Sequence, residues 1–457
     1  MADIDVDVLV IGWGKGGKTL AGALGRKGRS VALVEQSASM YGGSCINIAC
    51  VPTKDLVHSA SERREDDDPQ SYFMDAVAGR DALTDKLRAR NHAMLGEVDS
   101  VTLIDGRAQF TGPHAVEVSA GTDILSIRAA NIIINTGTEP ARPAFPTESS
   151  RVFDSTTIQH IDPLPERLIV VGGGYVGLEF AHMFAKFGSR VTLLDHGDTF
   201  MKREDRDVAD AARSLLEESG VELVLSADVR AVREDSADVS VDVTVAGESC
   251  ALAADAVLVA VGRQAVTTDL GLDAAGVERD ERGYITVDDR LRTSAEHIFA
   301  VGDVNGGPQF TYISLDDNRI VMDQLDGSGT RSTSDRVAVP YTVFLTPPLA
   351  RVGMDEDEAR ASGRRVRVAS KAVADIAAMP RPKIIGETHG LIKVLVDADT
   401  DLILGATVFS IDAQEVINLL ALAMRHDVTA SELRDSIWTH PSSTEALNEV
   451  LASTRPL

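Results

Sequence analysis

Val8-Leu9-Val10-Ile11-Gly12-Trp13-Gly14-Lys15-Gly16-Gly17 is the stretch on which the reading of this chain turns. Four successive apolar residues are the pattern of a parallel strand buried on both faces, and the run ends in the spacing GxGxxG. A helical segment follows, then Val31-Ala32-Leu33-Val34-Glu35, which puts an acid at the end of a second strand, where a ribose hydroxyl needs an acceptor. One such unit is a weak signal, but the chain carries another. Leu168-Ile169-Val170-Val171 runs into Gly172-Gly173-Gly174-Tyr175-Val176-Gly177, a helix follows, and Val191-Thr192-Leu193-Leu194 ends in Asp195. Gly12, Gly14, Gly17 and Glu35 thus recur at one constant offset as Gly172, Gly174, Gly177 and Asp195. Glycines that merely serve tight turns are the bland alternative; the repeated order of strand, turn, helix, strand and acid favours two dinucleotide-binding units. Both units close on an apolar run that ends in glycine, Ile132-Ile133-Ile134-Asn135-Thr136-Gly137 and Val257-Leu258-Val259-Ala260-Val261-Gly262, as strands reaching a ligand crevice do.

Between the two fingerprints lies Gly42-Gly43-Ser44-Cys45-Ile46-Asn47-Ile48-Ala49-Cys50-Val51-Pro52-Thr53-Lys54, which holds two of the three cysteines. A chain so poor in cysteine has no disulfide framework, and a close pair invites a redox reading. Residues five apart in a regular helix climb about 7.5 Å, whereas bonded cysteines usually hold their Cα atoms about 4.4–6.8 Å apart. The backbone between Cys45 and Cys50 is therefore irregular if the two bond. Pro52 suits a first helical turn, which leaves Cys50 at a helix N-terminus, where the dipole lowers a thiol pKa. Two unpaired, half-buried thiols remain the alternative from this stretch alone.

With 457 residues and 48.7 kDa, the chain exceeds one ordinary core, and two to four domains are expected. Seventy acidic residues against 45 basic ones give a net charge of −25, which repels nucleic acid and anionic membranes and favours small-molecule chemistry. The acidic start Met1-Ala2-Asp3-Ile4-Asp5-Val6-Asp7 lacks the pattern of a signal peptide, and no apolar run approaches the roughly 18 residues of a membrane helix. A cytoplasmic protein is expected. The charged run Arg63–Pro69 reads as a solvated loop.

Ile298-Phe299-Ala300-Val301-Gly302-Asp303 is a further strand with a carboxylate at its end, where Asp303 suits either a polyol or a turn. Beyond Val337 no glycine fingerprint recurs; strand-like runs at 365–370, 391–397 and 402–410 and a helix with Val416, Leu419, Leu420, Ala423 and Met424 on one face mark a separate α+β domain. Near the end, Ser442-x-x-Glu445 has the form of a capping box. Glu445 is also placed to orient His440, which precedes Pro441 and is expected in extended backbone.

With these pieces in order, the chain resembles the class I pyridine nucleotide–disulfide oxidoreductases over nearly its whole length. The resemblance rests on Gly12–Gly17, Cys45–Lys54, Gly172–Glu179, Val301–Asp303 and His440–Glu445. It implies an α/β fold of two Rossmann-like domains, one for FAD and an inserted one for NAD, with a C-terminal α+β dimerisation domain. The expected division is residues 1–150 and 271–336 for FAD, 151–270 for NAD(P) and 337–457 for the interface. It further implies that FAD is held by Gly12, Gly14, Gly17, Glu35, Gly43, Ser44, Thr136 and Gly137, with Asp303 and Thr311 toward the ribityl and pyrophosphate region. The nicotinamide cofactor falls to Gly172, Gly174, Gly177, Asp195 and Gly262, and Lys54 pairs with Glu179 near the flavin. Cys45 and Cys50 form the redox-active disulfide. His440, oriented by Glu445, completes the other subunit's site in a homodimer.

Gly14–Thr19, Cys45–Ile48, Gln309–Asp317 and Pro340–Pro348 make the chain similar to the reactive-chlorine-resistance reductases, relatives of mercuric reductase. No cysteine follows Cys250, which reads as a reduced structural thiol, so the C-terminal pair of mercuric reductase is missing. The implied activity is electron transfer from NADH through FAD and the cysteine pair to a small oxidant: hypothiocyanous acid, reactive chlorine species or Cu(II). NADPH is the other donor considered, and no resident metal, nucleic-acid partner or membrane is expected. Dihydrolipoamide oxidation and reduction of low-molecular-weight disulfides are the enzyme alternatives, and an inactive flavoprotein scaffold is the non-enzyme one.

Overall fold

The computed structural model describes residues 2–234 and 238–457; Met1 of the acidic start and residues 235–237 lie outside the described residues. The chain divides into two compact units, Met1–Leu56 with Met74–Arg142 and Gly262–Asp335, and Val57–Phe73 with Pro143–Val261 and Arg336–Leu457.

In the first unit, β1 (Ala2–Ile11), β2 (Val31–Glu35), β3 (Val101–Asp105) and β6 (Asp123–Ile134) form a parallel sheet in the order β3-β2-β1-β6, with strand Ile298–Ala300 beside β6. β4 (Arg107–Gly112) and β5 (Ala115–Ala120) extend it as an antiparallel meander. The apolar runs are unbroken because both faces are covered: Leu9, Ile11, Ala32 and Val34 enter one core, while Val8, Val10, Val31 and Leu33 enter the other with Leu20 and Leu24 of helix α1 (Lys15–Arg26). Each fully buried side chain of this size contributes roughly 1.5–3 kcal/mol. The register aligns Ile11 with Val34 and Ile134, and Ile134 with Ala300, so the strands end in one row. Gly12, Glu35, Asn135 and Asp303 follow at that row. The cysteine stretch folds as α2 (Ser44–Asn47) and α3 (Cys50–Glu62), with α4 (Pro69–Gly96) next in the chain.

The second unit repeats the motif. Strands Arg167–Val171, Arg190–Leu194, Val221–Val224 and Ala256–Val259 pair in parallel, and helix α5 (Tyr175–Phe187) follows the second glycine turn. Its C-terminal part is a six-stranded antiparallel sheet that includes Val366–Ala372, Leu391–Asp397 and Ile403–Phe409. Helix Ala413–Arg425 lays Val416, Leu420 and Ala423 into that core, with Leu419 and Met424 at its edge, as the period in the sequence indicates. Lys393 is buried there, and its Nζ donates to Asp205 (3.0 Å), Asp207 (2.5 Å) and Glu356 (2.5 Å). These three acids surround an ammonium group. Of the charged run, Glu65, Asp66 and Asp68 lie in an exposed loop, whereas Arg63 and Asp67 are half-buried and Pro69 already opens α4.

Leu420 has no exposed surface. Leu420→Ala is expected to lower stability by about 2–5 kcal/mol, read as a drop in urea midpoint with unchanged slope.

Candidate active site

The first glycine turn is built by exclusion. Gly12 has φ +96°, and a Cβ there would lie 2.5 Å from the Asn135 carbonyl; at Gly14 it would lie 2.4 Å from Asn135 Oδ1. Asn135 holds the turn to the sheet, accepting from Gly17 N at 2.8 Å and donating to Val301 O at 2.7 Å. Gly16 N donates to Ser314 Oγ at 3.0 Å. Gly14, the N-cap of α1, offers no side-chain cap of its own, and the second and third amides of the helix are taken by Ser314 and Asn135. Glu35 is buried and accepts from Trp13 N (3.0 Å) and Ser37 N (3.2 Å), and burial holds its pKa above the usual carboxylate value. Thr136 Oγ1 donates to Val266 O and Gly137 O accepts from Val266 N, so both belong to the backbone beyond the strand row. Asp303 accepts from Thr138 Oγ1 at 3.0 Å, and burial raises its pKa too. Gly302 N is held by the fully buried Asp317 at 2.6 Å.

The redox loop packs directly on this turn. A Cβ at Gly43, whose φ is +82°, would lie 2.8 Å from Gly14 Cα. Ser44 and Cys45 then make the single turn of α2, the helix breaks at Ile48 (φ −140°), and Cys50 opens α3. The irregular backbone expected from the spacing is therefore present, and Cys50 sits at a helix N-terminus.

Both cysteines are free thiols; Cys45 is half-buried and Cys50 exposed. Cys50 Sγ contacts Thr311 Oγ1 at 3.3 Å. The Cys45 thiol donates to Cys50 and, with the Thr311 hydroxyl, the Lys54 charge and the helix N-terminus, pushes Cys50 down to about 6 against the effect of burial. That same bond, burial and the Cys50 charge push Cys45 well above the ordinary thiol range. The surroundings thus favour a thiolate at Cys50 over one at Cys45. Thr311, expected toward the ribityl and pyrophosphate region, opens helix Thr311–Asp326 and contacts the Cys50 sulfur. Lys54 Nζ donates to Thr53 Oγ1 at 3.3 Å.

In the second unit Gly172 has φ +116°, with a Cβ position 2.5 Å from Ala260 O, and one at Gly177 would lie 1.9 Å from Gly172 O. Helix and strand touch there backbone to backbone. Gly174 caps α5, again without a side-chain bond, and the space at its Cβ position is open. Asp195 is half-buried, and its Oδ1 accepts from Gly197 N at 3.2 Å. Glu179 is buried, with Oε1 accepting from Phe344 N at 2.8 Å. Gly262 belongs to the first unit, where φ is +130° and its carbonyl accepts from Ala141 N.

His440 Nδ1 meets Glu445 Oε1 at 2.8 Å, and Glu445 Oε2 accepts from Ser442 N at 2.8 Å. The His440 side chain is 71% exposed, and its hydrogen bond holds Glu445 below the usual carboxylate pKa. One expectation changes here. The Ser442 hydroxyl returns no cap, so only half of a capping box forms, because Glu445 itself precedes helix Ala446–Val450. His440 lies in a bend, and its peptide bond to Pro441 is cis.

Several residues of the site carry no local signal. Asn135, Ser314 and Asp317 act on glycine turns remote in sequence. Tyr175 and Tyr341 share Glu204 Oε1, at 2.5 and 2.6 Å, with their rings stacked at 5.7 Å. Lys18 is visible only as a charge on the helix face that carries Ala21 and Gly25, and all three are buried.

The family profile described as pyridine nucleotide-disulphide oxidoreductase matches residues 6–317, and that of the family's dimerisation domain matches residues 339–451. A probable pyridine nucleotide-disulfide oxidoreductase, RclA of Escherichia coli (strain K12), is 44% identical over 97% of this chain and 98% of its own length. A dihydrolipoyl dehydrogenase of Haloferax volcanii is 33% identical (97% and 95% covered), and a mercuric reductase of Streptomyces lividans 32% identical (96% and 94%). The solved Cu(II) complex of the HOCl-induced flavoprotein disulfide reductase RclA from Escherichia coli superposes with a TM-score of 0.93 at 44% identity, covering 98% of this chain and 99% of that one. Among the described residues no helix is long and apolar enough to cross a membrane. Family membership implies FAD and NAD(P)H, and the matched dimerisation domain suggests a homodimer. The chain belongs to the pyridine nucleotide-disulphide oxidoreductase family and is an oxidoreductase of the flavoprotein disulfide reductase type.

Proposed function

We propose that this enzyme passes electrons from NADH through FAD to the Cys45–Cys50 pair and on to a small oxidant, of which hypothiocyanous acid, reactive chlorine species and Cu(II) are the candidates. The observation that carries the reading is the placement of the two free thiols, Cys45 in the single turn of α2 and Cys50 at the head of α3 with its sulfur 3.3 Å from Thr311 Oγ1. The relative at 44% identity is described as HOCl-induced and was solved with Cu(II), which favours these oxidants. Relatives described as dihydrolipoyl dehydrogenases at about a third identity keep dihydrolipoamide as the second substrate to test.

The residues fit the cofactors. Each unit offers a glycine turn, a helix whose N-cap residue is a glycine and an acid at the neighbouring strand end. In this reading Gly12, Gly14, Gly17, Glu35, Gly43, Ser44, Thr136, Gly137, Asp303 and Thr311 hold FAD. Gly172, Gly174, Gly177, Asp195 and Gly262 hold the nicotinamide nucleotide. FAD residues lie within 1–150 and 271–336, nucleotide residues within 151–270 and the interface within 337–457. Bound there, FAD supplies two-electron relay chemistry between a reduced nicotinamide and the disulfide. The same reading assigns Lys54 and Glu179 to the flavin site.

Cys50 keeps the thiolate next to the flavin site, and Cys45 faces the substrate. Its raised pKa means that Cys45 needs a base. His440 of the second subunit fills that role, for Glu445 takes Nδ1 and leaves Nε2 to receive the proton. With hypothiocyanous acid, the Cys45 thiolate attacks sulfur as the S–O bond breaks, and the His440 proton leaves with the oxygen as water. Cys50 then attacks Cys45 sulfur, closing the disulfide and expelling thiocyanate. Asp195 accepts ribose hydroxyls and opposes a 2′-phosphate, which favours NADH; Lys202 and Arg203 are exposed further along the chain.

Cys45→Ser is expected to keep its yellow flavin and lose at least about a hundredfold in turnover. Stopped-flow mixing of NADH-reduced enzyme with hypothiocyanous acid, Cu(II), lipoamide and several disulfides ranks the substrates, and full activity of Cys45→Ser on the best of them would overturn the dithiol route. A kcat/KM for NADPH equal to that for NADH would reject the donor assignment. In the reduced protein, thiolate absorbance at 240 nm is expected to rise with pH around a midpoint near 6, and Thr311→Val, which removes a donor to the charged sulfur, should move that midpoint upward.

A further inference from the structure

We propose that Lys18 is a positioning residue for Cys45, whose buried ammonium clamps the redox loop through Gly42 and sets a positive charge opposite the sulfur that must give up its proton. The inference rests on the reading of Cys45–Cys50 as the redox pair and adds a residue to it.

Lys18 lies on α1, is 8% exposed, and donates from Nζ to Gly42 O at 3.0 Å and Asn91 Oδ1 at 2.6 Å. Asn91 is itself fixed on α4, its Nδ2 donating to Leu87 O at 2.8 Å. The loop at Gly42 has little freedom to shift, because Gly42 has φ +99° and a Cβ there would lie 2.8 Å from Ile46 Cδ1 and 3.2 Å from Asn91 Cγ. The next turn is tied down by Asn47, which donates to Gly43 O at 2.9 Å and accepts from Arg88 Nε at 2.9 Å. Lys18 therefore joins α1 and α4 to the peptide that leads into Cys45.

Both acceptors are neutral, so neither cancels the charge. Burying an ammonium group against neutral oxygens is costly, and burial together with Lys15 brings Lys18 down to about 8. An uncharged side chain would hold the same carbonyls at lower cost. Cys45 is protonated at rest, so the charge is compensated only when that sulfur ionises, each of the two ions then favouring the other. The other groups that act on Cys45 are Cys50, which opposes its ionisation, and the Thr311 hydroxyl, which assists it. Lys54 acts on Cys50 instead. Each sulfur thus has a lysine of its own, one on α3 and one on α1.

The test is alkylation of Cys45 in the two-electron-reduced holoenzyme. Iodoacetamide forms an S–C bond to the thiolate and releases iodide, and mass spectrometry of the Cys45 peptide gives the rate from pH 5 to 9.5. Lys18→Met is expected to slow alkylation at pH 7 about tenfold and to move the profile up by about one pH unit, while Lys18→Arg stays within about twofold of the parent. Lys18→Gln, which keeps a donor for the loop and removes the charge, carries the same test should the methionine variant fail to take up flavin. A Cys45 profile in the uncharged variants that superposes on the parent would refute the role. Failure of the dithiol reading shows elsewhere, as turnover in Cys45→Ser.

Discussion

The contact on which the site depends is backbone against backbone, with Gly43 lying so close to Gly14 that a single added carbon would come within 2.8 Å of its Cα. It makes the dinucleotide turn and the redox loop one object. A side chain at Gly43 would run into Gly14, and one at Gly14 would run into Asn135. The fingerprint glycines are usually understood through the ligand they admit. Here Gly14 also admits a second stretch of its own chain, and Asn135 binds that assembly to the strand row.

From this fixed geometry follows the inequality of the two sulfurs. Cys45 lies in a helix of one turn, Cys50 at the head of a longer one, and Thr311 opens a third. Two helix N-termini and a hydroxyl therefore meet at Cys50, and charge collects there. Cys45 receives the proton by default. A thiol pair arranged in this way separates its labour through hydrogen bonding and dipoles, with no difference in side-chain type to announce it.

The fold was legible because its main cues are local. Val8–Ile11 and Val31–Glu35 are apolar without interruption since both faces of the sheet are covered, and the constant offset between the two glycine turns exposes the repeat. The helix with Val416, Leu420 and Ala423 was legible for the same reason. What the sequence concealed depends on distant partners. Asn135 reads as an ordinary polar residue until Gly17 and Val301 are brought to it, and Thr311 gives no sign that it will reach Cys50. The half-formed cap at Glu445 was misread because the capping rule is an average over neighbours in sequence. Here the Glu445 side chain is shared between His440 Nδ1 and Ser442 N.

The common row at which Ile11, Val34, Ile134 and Ala300 align has an evolutionary consequence. Deleting one residue from any of these strands would turn its apolar side chains to the opposite face and draw the following loop back by about 3.3 Å. Length variation among relatives should therefore collect away from that row, in places such as the hairpin joining β4 and β5, while the strands that feed it keep their residue count.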